Sequence, residues 1–199
     1  MSQKYDTKCM HKHLAISKIF DMIEAKTKVL DVGCSTGFLG NELKKKKQCT
    51  VFGIDNNKSY LNIASKRLDK AIYADIEKNN IKLKTKSSDY IIFADILEHT
   101  RDPESMIKKF KAFLKDSGSF LISLPNVAHP INRINLLLGR WNCTDYGILD
   151  RTHLRFFTYK SSKKMIENSG LKIIDERKAG RLTLKKTLAA QFVFRCVPR

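Results

Sequence analysis

The stretch Val29-Leu30-Asp31-Val32-Gly33-Cys34-Ser35-Thr36-Gly37-Phe38-Leu39-Gly40, followed by Val51-Phe52-Gly53-Ile54-Asp55, decides the fold of this chain. It reads as a buried strand, a glycine-punctuated turn, a helix, and a second strand that ends in an acid. That order is how an open α/β sheet builds a nucleoside pocket at the carboxyl ends of its strands. Outward from it, short apolar runs alternate with helical patterns. Strands are expected near 28–32, 50–54, 70–73, 89–94, 118–123, 171–178 and 190–197, and helices near 9–25, 37–47, 57–67, 103–115, 130–138 and 161–169. The alternation predicts the α/β class, a Rossmann-like, doubly wound, mostly parallel seven-stranded sheet with helices on both faces. Asp102-Pro103-Glu104 opens the helix at 103–115, with Asp102 as its cap and Met106, Ile107, Phe110 and Leu114 on its buried face.

The charge around the first turn narrows the ligand. A dinucleotide needs G-x-G-x-x-G so that backbone N–H groups can approach its pyrophosphate. Aligned on Gly33, this chain has Ser35 and Phe38 where the second and third glycines belong. Asp31 puts a negative charge two residues before Gly33, which opposes a phosphate and favours a bound cation. Asp55, at the end of the second strand, can accept hydrogen bonds from both hydroxyls of a ribose. A cationic nucleoside fits these residues better than a dinucleotide.

Asp31-Val-Gly33-Cys34-Ser35-Thr-Gly37 resembles the first motif of the class I S-adenosylmethionine-dependent methyltransferases, whose usual form is acid-x-Gly-x-Gly-x-Gly, with Ser35 in place of the middle glycine. Tyr73-Ala74-Asp75-Ile76 resembles the segment after that family's third strand, Asp89 to Ala94 its fourth strand, and Leu114 to Ser123 the turn into its fifth. The resemblance runs from about Lys28 to about Ile174. It implies an antiparallel last strand and S-adenosylmethionine as cofactor, with S-adenosylhomocysteine as product. It also implies a cofactor site of Asp31, Gly33, Cys34, Ser35, Gly37, Asp55, Asn56, Ala74, Asp75, Ile76 and Ala94. Within that set Asp75 would receive the adenine amino group, and the next residue would offer its backbone N–H.

A chain of 199 residues is expected to form one domain. Residues 1–27 are expected to make a helical cover over the cofactor, with Tyr5 and His11 closing it. The amino terminus lacks an apolar signal region and no run is long enough to span a membrane, so a cytoplasmic protein without membrane insertion is expected. Cysteines at 9, 34, 49, 143 and 196 are odd in number and lack a C-x-x-C pair, which predicts reduced thiols. Cys9-Met-His11-Lys-His13 is no metal site, because helical positions two apart point to different sides. Lys44 to Lys47 suits the carboxyl end of a helix dipole.

Residues 125–159 exceed what a short crossover needs, and they hold Asn126, His129, Arg133, Arg140, Trp141, Tyr146, Arg151, His153 and Arg155. We read them as an acceptor-binding lid above the carboxyl edge of the sheet; the blander reading is a surface excursion whose Leu136-Leu137-Leu138 packs on the body. The lid also resembles that of a bacterial methyltransferase group associated with surface-polysaccharide and other glycan pathways. Arg151 and Arg155 could fork onto an oxyanion of the acceptor or pair with Asp145 and Asp150. Trp141 could stack on a sugar or base or pack in the core, and His129 is a further acceptor-binding candidate.

Methyl transfer from a sulfonium is an in-line displacement, so alignment and exclusion of water carry most of it; an oxygen acceptor also needs a base or a metal ion. Asp95-Ile-Leu-Glu98-His99 follows the fourth strand and resembles the acid-x-x-Glu-His motif of ubiquinone-pathway and small-RNA 3′-terminal O-methyltransferases, where it contributes metal ligands. The expectation is metal-free chemistry, with Glu98, His99 and His153 as catalytic candidates. The alternative is a divalent cation held by Asp95, Glu98 and His99, with His153 or His129 as the fourth ligand.

Thirty-eight lysines and arginines against twenty acids give a formal charge of +18, enough to attract polyanions. Lysine dominates that excess, and no RNA-binding module is visible. A small-molecule or glycan acceptor is therefore placed ahead of RNA. A non-catalytic S-adenosylmethionine-binding protein is the third reading, and oligomeric state is not legible.

Overall fold

The computed structural model describes residues 14–78, 81–180 and 188–199. Seven strands, β1 (Lys28–Val32), β2 (Thr50–Asp55), β3 (Lys70–Tyr73), β4 (Ser88–Ala94), β5 (Leu114–Pro125), β6 (Leu171–Ala179) and β7 (Gln191–Pro198), form one sheet in the order β3-β2-β1-β4-β5-β7-β6. β7 runs antiparallel to both β5 and β6, and the other pairings are parallel. Helices α1 (Ala15–Met22), α2 (Phe38–Lys47), α3 (Lys58–Ala64), α4 (Pro103–Lys111), α5 (Pro130–Leu137) and α6 (Tyr159–Asn168) accompany the sheet among the described residues, with a 3-10 turn at Leu97–His99.

The strands are apolar on both faces because helices cover both. Leu30, Ile91, Phe93, Phe120 and Ile122 face the layer of Ile107 and Phe110 from α4 and Ile166 from α6. Their neighbours Val29, Ile92 and Leu121 face Ile19 of α1, Leu43 of α2 and Ala64 of α3. β1 pairs with β2 on one side and β4 on the other, so the chain reverses its winding there. The crevice at that reversal, over the carboxyl ends of β1 and β4, is where the ligand site belongs.

Two boundaries differ from expectation. The helix expected at 103–115 ends at Lys111, and Leu114 is the first residue of β5, paired with Ser88. Leu114 stays buried, but in the sheet; a run of buried residues does not say which element carries the last of them. The helix expected at 9–25 is described only as α1, and Tyr5, Cys9, His11 and His13 lie outside the described residues. The remaining strands and helices fall within a few residues of their expected places. Asp102 caps α4 as read, accepting from the Ser105 backbone N–H at 3.0 Å.

Candidate active site

The turn after β1 sets the cofactor crevice. Gly33, Ser35 and Gly37 all have positive φ, at 77°, 49° and 74°. At Gly33 a Cβ would also sit 2.7 Å from the Ile96 side chain, so backbone conformation and close packing both require glycine. Ser35 adopts the same left-handed backbone with a side chain. The turn is tied to β2: Gly33 and Cys34 donate to the Ile54 carbonyl, and the Ser35 N–H donates to Asp55 Oδ2 at 2.8 Å.

Gly33, Cys34 and Ser35 line a cavity of about 400 Å³ that also takes in Asp31, Asp55, Ala94 and His99. Leu14, Ala15 and Ile16, at the N-terminal end of α1, line one side of it. Asp31 is buried, and that burial together with the neighbouring Asp55 charge pushes its carboxyl pKa up to about 7. Two carboxylates in a sheltered crevice make a field that a cation relieves. The buried hydroxyls of Ser35 and Thr36 have no hydrogen-bond partner among the described residues, and both line the cavity. A small adjoining slot lined by Gly33, Asp55, Asn56, Ala74, Ile76 and Ile96 has the apolar walls that an adenine ring needs. Asp75 does not line that slot; its carboxylate accepts from the Glu77 and Lys78 N–H groups and pairs with Lys78 Nζ at 3.2 Å. Gly37 is the N-cap of α2 and lines neither space.

A second cavity, of about 430 Å³, adjoins the first and shares Asp95, His99 and Gln191 with it. Its other walls include Glu98, Tyr146, Asp150 and His153. The lid reaches this place through backbone bonds: Leu154 and Arg155 N–H groups donate to the Glu98 carbonyl at 2.8 and 3.0 Å, and Val127 N–H donates to the Phe157 carbonyl at 2.8 Å. Buried Asn126 fastens the lid's root by donating from Nδ2 to the Ala189 carbonyl.

Docking of the lid brings His153 to His99, with ring centroids 4.7 Å apart, and places His153 Nε2 3.9 Å from Glu98 Oε1. His153 Nδ1 faces the Ile148 carbonyl at 3.1 Å, and His99 Nδ1 faces the Thr152 carbonyl at 3.2 Å. A carbonyl only accepts, so each Nδ1 carries the proton and each Nε2 keeps a lone pair in the neutral ring. Glu98 is 1% exposed, and its Oε2 has no hydrogen-bond partner among the described residues. Burial, helped by the charges of Asp95 and Asp150, holds its pKa well above the carboxylate range. Burial, then the His99 charge, holds His153 below the usual imidazole range.

One ligand atom each from Glu98, His99 and His153 lies within 4.8 Å of the others, a donor set that suits a divalent cation. Asp95, one of the three ligands considered from the motif, is outside that group, and His153 joins Glu98 and His99 in its place. It accepts from Ser123 Oγ and from Gln191 Nε2, each at 2.7 Å, in a left-handed backbone with φ 52°. Burial holds its carboxyl pKa up against those two hydrogen bonds, although the residue as a whole is open to the cavity mouth.

The two arginines read either as anion ligands or as partners of Asp145 and Asp150 divide between local partners. Arg151 pairs with Asp145 at 2.9 Å, and the Arg155 guanidinium donates to the Arg101 carbonyl. Trp141 is 43% exposed and packs edge-on against Phe156, and His129 is the N-cap of α5. None of these four lines either cavity. Ser123 and Gln191 were missed by the sequence reading: each is an ordinary strand residue, and only the β5–β7 pairing, which sets Pro125 against Gln191, brings Gln191 to Asp95.

The reversed sheet and the acid-flanked turn are those of an α/β protein of the class I S-adenosylmethionine-dependent methyltransferase superfamily. A family model described as "Methyltransferase domain" matches residues 2–176, and the chain belongs to that family. A ubiquinone biosynthesis O-methyltransferase from Coxiella burnetii is 32% identical over 102 residues, 49% of this chain and 43% of that protein. The chain thus matches less than half the length of that relative. A SAM-dependent methyltransferase from Aquifex aeolicus superposes with a TM-score of 0.66 at 17% identity, over 91% of this chain and 88% of that one. The [4+2]-cyclase SpnF superposes with a TM-score of 0.65 at 14% identity, over 91% and 80%. One fold therefore accompanies different names, and function has to be argued from the site.

Proposed function

We propose that the protein transfers a methyl group from S-adenosylmethionine to a hydroxyl oxygen of a small-molecule or glycan acceptor. The observation that carries this reading is the pair of cavities meeting at Asp95, His99 and Gln191. The first cavity suits the cofactor through its two carboxylates, its unpartnered Ser35 and Thr36 hydroxyls and its apolar slot. Bound there, S-adenosylmethionine supplies an electrophilic methyl on a cationic sulfur. In the second cavity, the free Nε2 of His99 is placed to take the acceptor's proton as its oxygen becomes the nucleophile, with His153 beside it. No lysine or arginine is among the described residues that line this cavity, which leaves a polyanion without a cationic partner there and places RNA behind a neutral hydroxyl compound.

The test is calorimetric titration with S-adenosylmethionine, followed by mass spectrometry of products from a panel of hydroxylated acceptors. Binding by the protein and its loss in Asp55→Asn are expected. Absence of binding would overturn the enzymatic and the non-catalytic binding readings together; binding without any methylated product would leave the non-catalytic one.

The orphaned Glu98 Oε2 and the two Nε2 lone pairs support a second reading. Glu98, His99 and His153 would hold a divalent cation, which would lower the pKa of an acceptor hydroxyl. Titration with Mn²⁺ alone, without substrate, tests it: saturable binding lost in Glu98→Gln is expected, and indifference to that substitution would overturn it.

A further inference from the structure

Helix α5 is amphipathic in the wrong sense for a helix lying on a protein body. Ile131, Ile134 and Leu138 recur at i, i+3 and i+7, with Leu137 beside them, and such a stripe normally faces inward. Here it faces out. No residue of α5 is buried, and Leu137 is 87% exposed. The polar side is the one tied down: Asn132 Nδ2 donates to the Val127 carbonyl, and Arg133 Nε donates to the Ala128 carbonyl. Nine of the twelve large apolar residues that stand exposed among the described residues fall between Ile131 and Phe156, on this helix and the lid segment after it. Exposed apolar residues concentrated in this way mark a docking face.

We propose that this face of the lid seats the protein on an anionic lipid surface, with α5 lying in the headgroup plane rather than crossing it. No helix among the described residues is long and apolar enough to cross a membrane. Interfacial helices combine an exposed apolar stripe with basic neighbours and aromatic side chains at the boundary. Arg133 lies on α5 and Arg140 just after it, Trp141 follows, and the chain as a whole carries +18. That charge complements anionic lipid, and it opposes a second copy of the same chain as the partner. A nucleic acid would match the charge but leave the apolar stripe unused. The stripe also lies outside both cavities, so it is not a wall of the reaction site.

Trp141 is the only tryptophan in the chain, which makes the test direct. Vesicles of phosphatidylcholine alone, and of phosphatidylcholine mixed with phosphatidylglycerol, are titrated into the protein while its fluorescence is followed and bound protein is sedimented. The expected result is co-sedimentation with the mixed vesicles and a blue shift of Trp141 emission. The charge-neutral double variant Ile134→Ser/Leu137→Ser should bind about tenfold more weakly, while its thermal unfolding stays unchanged because both side chains are already in solvent. Failure of the wild-type chain to bind would overturn the proposal. So would equal binding by the double variant, which would reduce the effect to adsorption of a cation. Sedimentation equilibrium showing a dimer that the double variant dissociates would assign the stripe to a second copy instead, and would also overturn it.

Discussion

The cofactor crevice and the lid are built on opposite principles. The crevice is made by a contiguous turn, Gly33 to Gly37, locked to β2 and packed against Ile96, and its chemistry comes from two sheltered carboxylates. The lid is held at its root by Asn126 and by backbone bonds to Glu98, and it turns its apolar residues outward. On the proposed reading, the comparison teaches that the methyl donor is held by the sheet and its tied turn. The acceptor is then met by a segment most of whose residues are exposed.

The sharpest way to break that division is at the imidazoles, because one comes from each side. His99→Ala and His153→Ala should each lower turnover by about a hundredfold or more, with S-adenosylmethionine affinity kept within about threefold. Parallel measurement of kcat and of calorimetric Kd checks this, and an equal loss of affinity would mean that the two regions are not separable. The next effect is confined to the crevice. With the Asp31 carboxyl titrating near 7 in the empty site, a cationic ligand favours its ionised form, so binding releases a proton below that pH. Affinity should therefore rise by up to about tenfold per unit between pH 5 and 7 and flatten above, and Asp31→Asn should abolish the slope. Titrations in buffers of different ionisation enthalpy would detect the released proton. The smallest effect is at Ser35. Its left-handed backbone carries a side chain where glycine is free of strain, so Ser35→Gly should raise stability by no more than about 1 kcal/mol, read by thermal unfolding. A loss of stability there would show that the serine side chain supports the turn.

Most of the sheet was legible because strand identity follows from local patterns of apolar residues and breakers. Leu114 was placed in a helix because a buried leucine fits either element, and only pairing with Ser88 decides between them. Asp31, Gly33, Cys34 and Ser35 come to the crevice from one contiguous motif, whereas Asp55, Asn56, Ala74, Ile76 and Ala94 come from or just beyond the ends of the strands that follow. Asp75 lines neither space; its carboxylate accepts from the Glu77 and Lys78 N–H groups and pairs with Lys78. The acceptor side was less legible. Arg151 and Arg155 were open between an acceptor oxyanion and local acids; Arg151 pairs with Asp145, one of those acids, and Arg155 donates to the Arg101 carbonyl, which no charge pattern in the sequence points to. Gln191 carried no signal at all.

What the sequence alone determined is the winding of the sheet and the charge of the donor pocket, because both depend on contiguous residues whose backbone geometry is set within a few positions. The tertiary structure alone decided the second cavity and the outward face of α5. Glu98, His153 and Gln191 meet only through strand order and lid docking, and an amphipathic pattern specifies that a stripe exists without saying which side of it the rest of the molecule will cover.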